Sequence, residues 1–210
     1  MCANLSGHPE RQRVEQYLRY WLLGSRAPQP AGLAEVNPAA IVPGSGLAIG
    51  NAGQVLAAPY LPRLFDMLGL LDKGRFADPA QARRACHLLQ FMVDPQSEAA
   101  EHQLLLNKLL CGLDMRQPLD AGIAVSDSEK TLIEGLLQGM ISNWGALGST
   151  SIAGLREAFL QRPGVLAYKD DAWQLKVEKK TLDILMERLP WSFSIIRHSW
   201  MKQAVMVEWL

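Results

Sequence analysis

The residues of this chain best suited to chemistry are Cys86, His87, His102 and Cys111, four ligand-type side chains within 26 positions. Zinc takes thiolates and imidazoles in tetrahedral sets, so the cluster raises the question of a metal site. The spacing argues against one. Neighbouring residues on a helix project about 100° apart, so Cys86 and His87 seldom face one ion together. Cys111 falls inside the apolar run Leu109–Leu113, where a small thiol packs as a hydrophobe. The glycines of Gly44-x-Gly46-x-x-x-Gly50 invite a dinucleotide loop, but their spacing differs by one from the fingerprint and Pro43 breaks the strand-to-turn geometry. Asp66, the acidic residue at the right distance downstream, lies in an apparent helix. The segment reads as a Gly/Pro loop. There is no G-x-S-x-G elbow, HExxH helix, Walker loop, EF-hand or RNA-binding aromatic pair. The motifs therefore predict no catalytic residue, no cofactor and no metal.

Composition narrows the class further. The chain has 210 residues, 49% of them apolar and 20% charged, which is enough to bury one ordinary core. Lys plus Arg number 21 and Asp plus Glu number 21, so no net field draws the protein onto nucleic acid or anionic lipid. Cys2, Cys86 and Cys111 are an odd set without CxxC spacing, which predicts free thiols and folding in the cytoplasm. The opening MCANLSGHPERQR has no apolar core behind its charges, and no apolar run approaches the roughly 20 residues of a membrane span. Neither a signal peptide nor a membrane helix is expected.

Three regions follow from patterning. Residues 1–24 contain an amphipathic helix, Glu10–Leu23, with Val14, Tyr17, Leu18, Trp21 and Leu22 on one face. Residues 25–50, with four prolines and only Arg26 and Glu35 charged, read as a linker whose apolar patches lie against the body. The module 51–210 is helical over 51–163 and α+β over 164–210. Its clearest helix spans 127–147, opened by a capping box of Ser126 and Glu129. A second helix after Ser149–Thr150–Ser151 stops at Pro163–Gly164. The period then changes to two: Val165–Tyr168 and Trp173–Val177 form a hairpin about Lys169–Asp170–Asp171. A helix over Lys180–Leu189 and alternating runs at Trp191–Ile195 and Val205–Trp209 close the chain. The expected class is α+β, predominantly α-helical, and residues 127–178 have the order of a winged helix. That order carries a second reading, a DNA-binding regulator, which requires Arg156, Arg162 and the wing lysines Lys169, Lys176, Lys179 and Lys180 to share one positive face. Local acids bring that face near balance.

Four of six tryptophans (Trp173, Trp191, Trp200 and Trp209) lie in the last 38 residues. They build a small core, and aromatics beyond its need mark a partner surface. Trp200 and Trp209, with Trp21 on the N-terminal helix, are the expected interface residues.

Rare-residue motifs then recur in order: Asn51-Ala-Gly-Gln-Val-Leu-Ala-Ala-Pro-Tyr-Leu-Pro-Arg-Leu-Phe65 with Leu68-Gly-Leu70, His87-Leu-Leu-Gln-Phe91, Glu101 through Leu113, Trp144 with Ser149 through Gly164, Trp173 through Glu178, Arg188-Leu-Pro-Trp191 and Val207-Glu-Trp209. Over residues 50–209 the chain resembles the tape-measure proteins of contractile injection systems, which are phage-tail-like particles. The resemblance implies a structural role in assembling the inner tube and setting its length, with tube and baseplate proteins as partners and no catalytic residues to transfer. Many such proteins carry a long additional region, whereas about 50 residues precede the shared module in this sequence. Even fully helical, 210 residues extend only about 315 Å, and the pattern is that of a folded body. An anchoring module tethered by residues 25–50 is the expectation, with the Glu10–Leu23 helix as a docking element.

Overall fold

The computed structural model describes residues 46–95, 99–120 and 122–209. The expected helix Glu10–Leu23 and most of the linker lie outside them. The architecture is α+β, as the periodicity predicts.

The body begins with strand β1, Leu47–Ile49, and a 3-10 segment, Ala52–Tyr60, that leads into helix α1, Leu61–Met67. Gly69 ends α1 with φ +69°, and the amides of Gly69 and Leu70 return to the carbonyls of Asp66 and Phe65 at 2.9 Å each. This closes the last turn in the manner that favours glycine. A small hairpin, β2 (Leu71–Asp72) with β3 (Arg75–Phe76), turns at Lys73 and Gly74. Helix α2, Pro79–Val93, starts where the Asp78 carboxylate accepts from the amides of Ala80 and Gln81 and Pro79 presets the first φ. A 3-10 turn, Glu101–Leu104, runs into α3, Leu105–Leu110, which Gly112 closes as Gly69 closes α1.

Helix α4, Asp127–Asn143, carries the predicted capping box: the Ser126 hydroxyl accepts from the Glu129 amide, and the Glu129 carboxylate accepts from the Ser126 amide. It stops earlier than periodicity suggests. Trp144 leaves helical geometry so that its buried ring meets Phe159 at 4.8 Å, while its Nε1 donates to the Leu185 carbonyl at 3.0 Å. Helix α5, Ile152–Leu155, widens into a π-helical turn, Arg156–Leu160, before Pro163–Gly164 start the sheet.

Strands β4 (Gly164–Lys169) and β5 (Ala172–Val177) form the expected hairpin, with Asp170 and Asp171 both at positive φ as a two-residue turn demands. A 3-10 segment, Thr181–Arg188, replaces the predicted helix. Strands β6 (Ile195–Ile196) and β7 (Val205–Trp209) complete a five-stranded sheet of order β1-β4-β5-β7-β6. Strand β7 runs parallel to β5, Trp173 facing Val205 and Val177 facing Trp209. Little of the predicted Trp191–Ile195 strand forms, because the Trp191 ring docks against Tyr60 and Trp144 and its Nε1 donates to the Leu56 carbonyl. One sheet face, with Leu166, Trp173, Leu175 and Val205, joins the core that the helices build. The other presents Val165, Lys176, Met206 and Glu208 to solvent.

Gly53 marks the tightest packing. A Cβ there would lie 1.7 Å from the Phe159 carbonyl oxygen, whereas one at Gly135 on α4 meets nothing. Gly53→Ala should destabilise the fold by more than about 3 kcal/mol, and Gly135→Ala should stabilise it by about 0.5–1 kcal/mol; denaturant melts compare the two.

Acid stability follows from two sources. The Arg84 guanidinium, 2.7 Å from both Glu129 oxygens, holds that carboxyl down at about 2 against an ordinary 4.5. Its stabilisation is full above pH 4.5 and is lost as pH falls toward 2. Burial lowers His87 and His198, so the unfolded chain takes up their protons first and stability starts to fall below about pH 6.5. Melting temperature against pH should fall in two steps, and Glu129→Gln should flatten the lower one.

Candidate functional site

Two buried polar clusters position the surfaces this body presents. The first is centred on Arg162, which the π-helical turn aims into the interior. Its Nε donates to the Ala158 carbonyl at 2.7 Å, its Nη1 to the Glu178 carbonyl at 3.1 Å and its Nη2 to the Asp183 carboxylate. The other Asp183 oxygen accepts from the Lys180 amide and from Trp209 Nε1, each at 2.8 Å. The ion pair is withdrawn from water, with the two side chains 0% and 3% exposed. The guanidinium carbon also lies 5.7 Å from the Phe159 ring centre and 5.6 Å from that of Trp209. Every charge is matched by a hydrogen bond, the condition under which a buried pair is tolerated.

The second cluster explains the opening Asn51-Ala-Gly-Gln motif. Asn51 Nδ2 lies 3.1 Å from Gln90 Oε1, 3.0 Å from the Gln103 carbonyl and 2.8 Å from Asn107 Oδ1. Gln54 Nε2 donates to the same Asn107 oxygen at 2.9 Å, and Asn107 Nδ2 donates to the Cys86 carbonyl at 2.9 Å. Between these amides, Ala52 and Gly53 sit where the backbones of Gly164 and Phe159 press closest. Each residue of the motif thus holds the helices to the sheet.

The expected interface residues occupy different places. Trp200 Nε1 donates to the Leu110 carbonyl at 2.9 Å, and its ring packs against Phe65, Phe76 and His198. It is half-buried and lines an open cleft of about 600 Å³ with Arg63, Asp66 and Met67, of which Met67 is 54% exposed. Trp209, also half-buried, binds Asp183 and meets the Phe193 ring at 5.6 Å. Trp21 lies outside the described residues.

The positive face needed for the DNA-binding reading does not form. Arg162 is enclosed, and Arg156 is 9% exposed, with Nε donating to the Met92 carbonyl at 2.9 Å. Together with Gln161, which donates to the Val93 carbonyl, Arg156 closes the C-terminus of α2. Burial lowers the Arg156 pKa. On the wing, Lys176 pairs with Glu208 at 3.1 Å. The glycine loop fares no better as a nucleotide site, since β1 lies between Gly46 and Gly50. The Cys/His cluster does not form a site: His102 is exposed, while Cys86 and Cys111 are buried in the core. Among the described residues no group of three or more His, Cys, Asp or Glu side chains could hold a metal ion, and no helix is long and apolar enough to cross a membrane.

Patterning missed Asp183 and Asn107. Each is a polar residue framed by leucine and isoleucine neighbours, in Leu182-Asp-Ile184 and Leu106-Asn-Lys-Leu109, and that interruption was the available sign.

The interior polar groups of the described body serve cohesion, and aromatic and apolar side chains reach the surface at a cleft. The chain is a member of the contractile injection system tape measure protein family, which matches it over residues 24–209. It is a structural component of a phage-tail-like particle. Among curated proteins and solved structures nothing matches.

Removing one partner of the buried pair should show how much rests on it. Arg162→Met and Asp183→Asn should each cost about 3–5 kcal/mol, and Arg162→Met with Asp183→Leu should recover part of the sum. Urea unfolding followed by tryptophan fluorescence measures all three.

Proposed function

We propose that this chain acts in tube assembly as an anchoring module rather than as a ruler read along its own length. The observation that carries this reading is the shortness of the elements: the longest helix among the described residues, Asp127–Asn143, has 17 residues and spans about 25 Å. A length gauge needs an extended element, and short helices layered on a mixed sheet supply a docking body instead. Its partners are the inner tube and baseplate proteins of the particle, met in the cytoplasm during assembly, and copies of the chain also associate with one another. The 25–50 segment serves as tether up to its last residues, which enter the body as β1, and the Glu10–Leu23 helix serves as a second docking element. The contact surface comprises the Trp200 cleft with Met67, the Trp209 edge and Trp21, aromatic anchors of the kind that dominate interfaces. Neither nucleic acid nor membrane is a partner in this reading, and the chain is not an enzyme.

The test is recovery of particle subunits with a tagged chain from cells producing particles. Tube and baseplate subunits should co-purify with the unmodified protein. Met67→Glu, at an exposed position, should reduce their recovery at least about fivefold while leaving the melting temperature within about 2 °C. Deleting residues 1–24 should reduce recovery independently. Recovery of the chain alone from such cells, or equal recovery with Met67→Glu, would overturn the proposal.

A further inference from the structure

The sheet of order β1-β4-β5-β7-β6 has one face in the core and one open to water. Alternation along the strands fixes which residues point outward, and the register sorts them into rows across the sheet. One row runs Val165, Lys176, Glu208, and the next Ala167, Gln174, Met206, Ile195. Outward positions of a sheet open on one side are ordinarily polar. Here the two rows hold a single ion pair, Lys176 Nζ to the Glu208 carboxylate at 3.1 Å, and three large apolar side chains, with Ile195 65%, Val165 44% and Met206 37% exposed. Between Gln174 and Met206 the face dips into a hollow of about 270 Å³, which Lys176, Glu208 and Ile195 help to line.

About the line between β5 and β7 this face is complementary to itself. A twofold axis along that line, parallel to the strands, lays each row over the same row of a second copy with the strand order reversed. Lys176 then stands over Glu208 of the second copy, and Glu208 over its Lys176. In the other row Ile195, the most exposed side chain, falls over Ala167, the smallest, and Met206 falls over Gln174 at the hollow. The two rows carry no net charge, so a copy meets no repulsion, and a polyanion finds no field to draw it in.

We propose that two copies of the chain associate through this face, packed sheet to sheet about a twofold axis between β5 and β7. The proposal rests on the self-association included in the proposed function and gives it a surface. Aligned sheets pack about 10 Å apart with their strands within about 30° of one another. An isologous contact of this kind is closed at two copies. The Trp200 cleft shares no lining residue with the hollow, so the pair offers two such clefts to the rest of the particle.

The test sediments the full chain over a concentration series, which should show a monomer passing to a dimer and no further. Ile195→Lys should weaken dimerisation at least about tenfold with an unchanged circular-dichroism spectrum. Lys176→Glu and Glu208→Lys should each weaken it as well, because each sets like charges face to face across the axis. Mixed in equal amounts, those two variants should pair with each other at least about fivefold more tightly than either pairs with itself, since opposite charges then meet across the axis. Local damage by either substitution would not be cured by mixing. A dimer indifferent to Ile195→Lys and to both charge reversals would overturn this surface and leave self-association standing; a monomer at every concentration would overturn both. A monomer whose Lys176 resists amine-directed labelling would give the face to another segment of the same chain, which also overturns the proposal.

Discussion

A guanidinium withdrawn wholly from water needs an acceptor at each of its three nitrogens, and in this protein that requirement falls on Arg162. Its acceptors come from the π-helical turn, the end of the hairpin and the Thr181–Arg188 segment, and its carboxylate partner is held in turn by the indole of β7. A leucine in its place would pack against many surfaces. A forked cation bonded to two carbonyls and a carboxylate permits one arrangement. The widened turn, the inward Asp183 and the position of the last strand are three views of one solution to a desolvation problem.

The same logic recurs where charge is absent. Asn51, Gln54, Gln90 and Asn107 are all buried; the Asn51 and Gln54 side-chain nitrogens converge on Asn107 Oδ1, while Asn51 Oδ1 and Gln54 Oε1 are left without a partner. Their mutual bonds fix the 3-10 segment Ala52–Tyr60 against α2 and α3, and close backbone approach at Gly53 and Gly164 seals the joint with the sheet. Arg156 adds a third such lock at the C-terminus of α2. Apolar packing supplies most of the cohesion, while the polar interior decides which packing is adopted.

What the sequence made legible was local. The Ser126–Glu129 box, the break at Asp94–Pro95 and the Lys169–Asp171 turn each depend on residues within one turn of each other, and each stands where the pattern put it. Long-range chemistry was hidden. Nothing near Asp183 in sequence indicates that its partner lies 21 positions earlier, and alternation in Val205–Trp209 predicts a strand without saying that it lies parallel to β5. Arg156 and Arg162 looked like a helix's basic face because their burial depends on distant carbonyls. Of the expected interface tryptophans, the position of Trp200 beside a cleft could not be read from spacing, since its neighbours Phe65 and Phe76 lie more than 120 positions earlier in the sequence.

The parallel placement of β7 has a consequence for how the chain comes into being. Strand β7 fills the slot between β5 and β6, so the sheet is interrupted until residues 205–209 arrive. A ribosome conceals the most recently joined few dozen residues of a nascent chain. The helical segments before residue 164 can therefore gather during synthesis, whereas β5 waits with an open edge and Arg162 lacks the indole that orients its counterion. Closure of the sheet therefore waits on synthesis of residues 205–209, well after the helices that pack against it have been made.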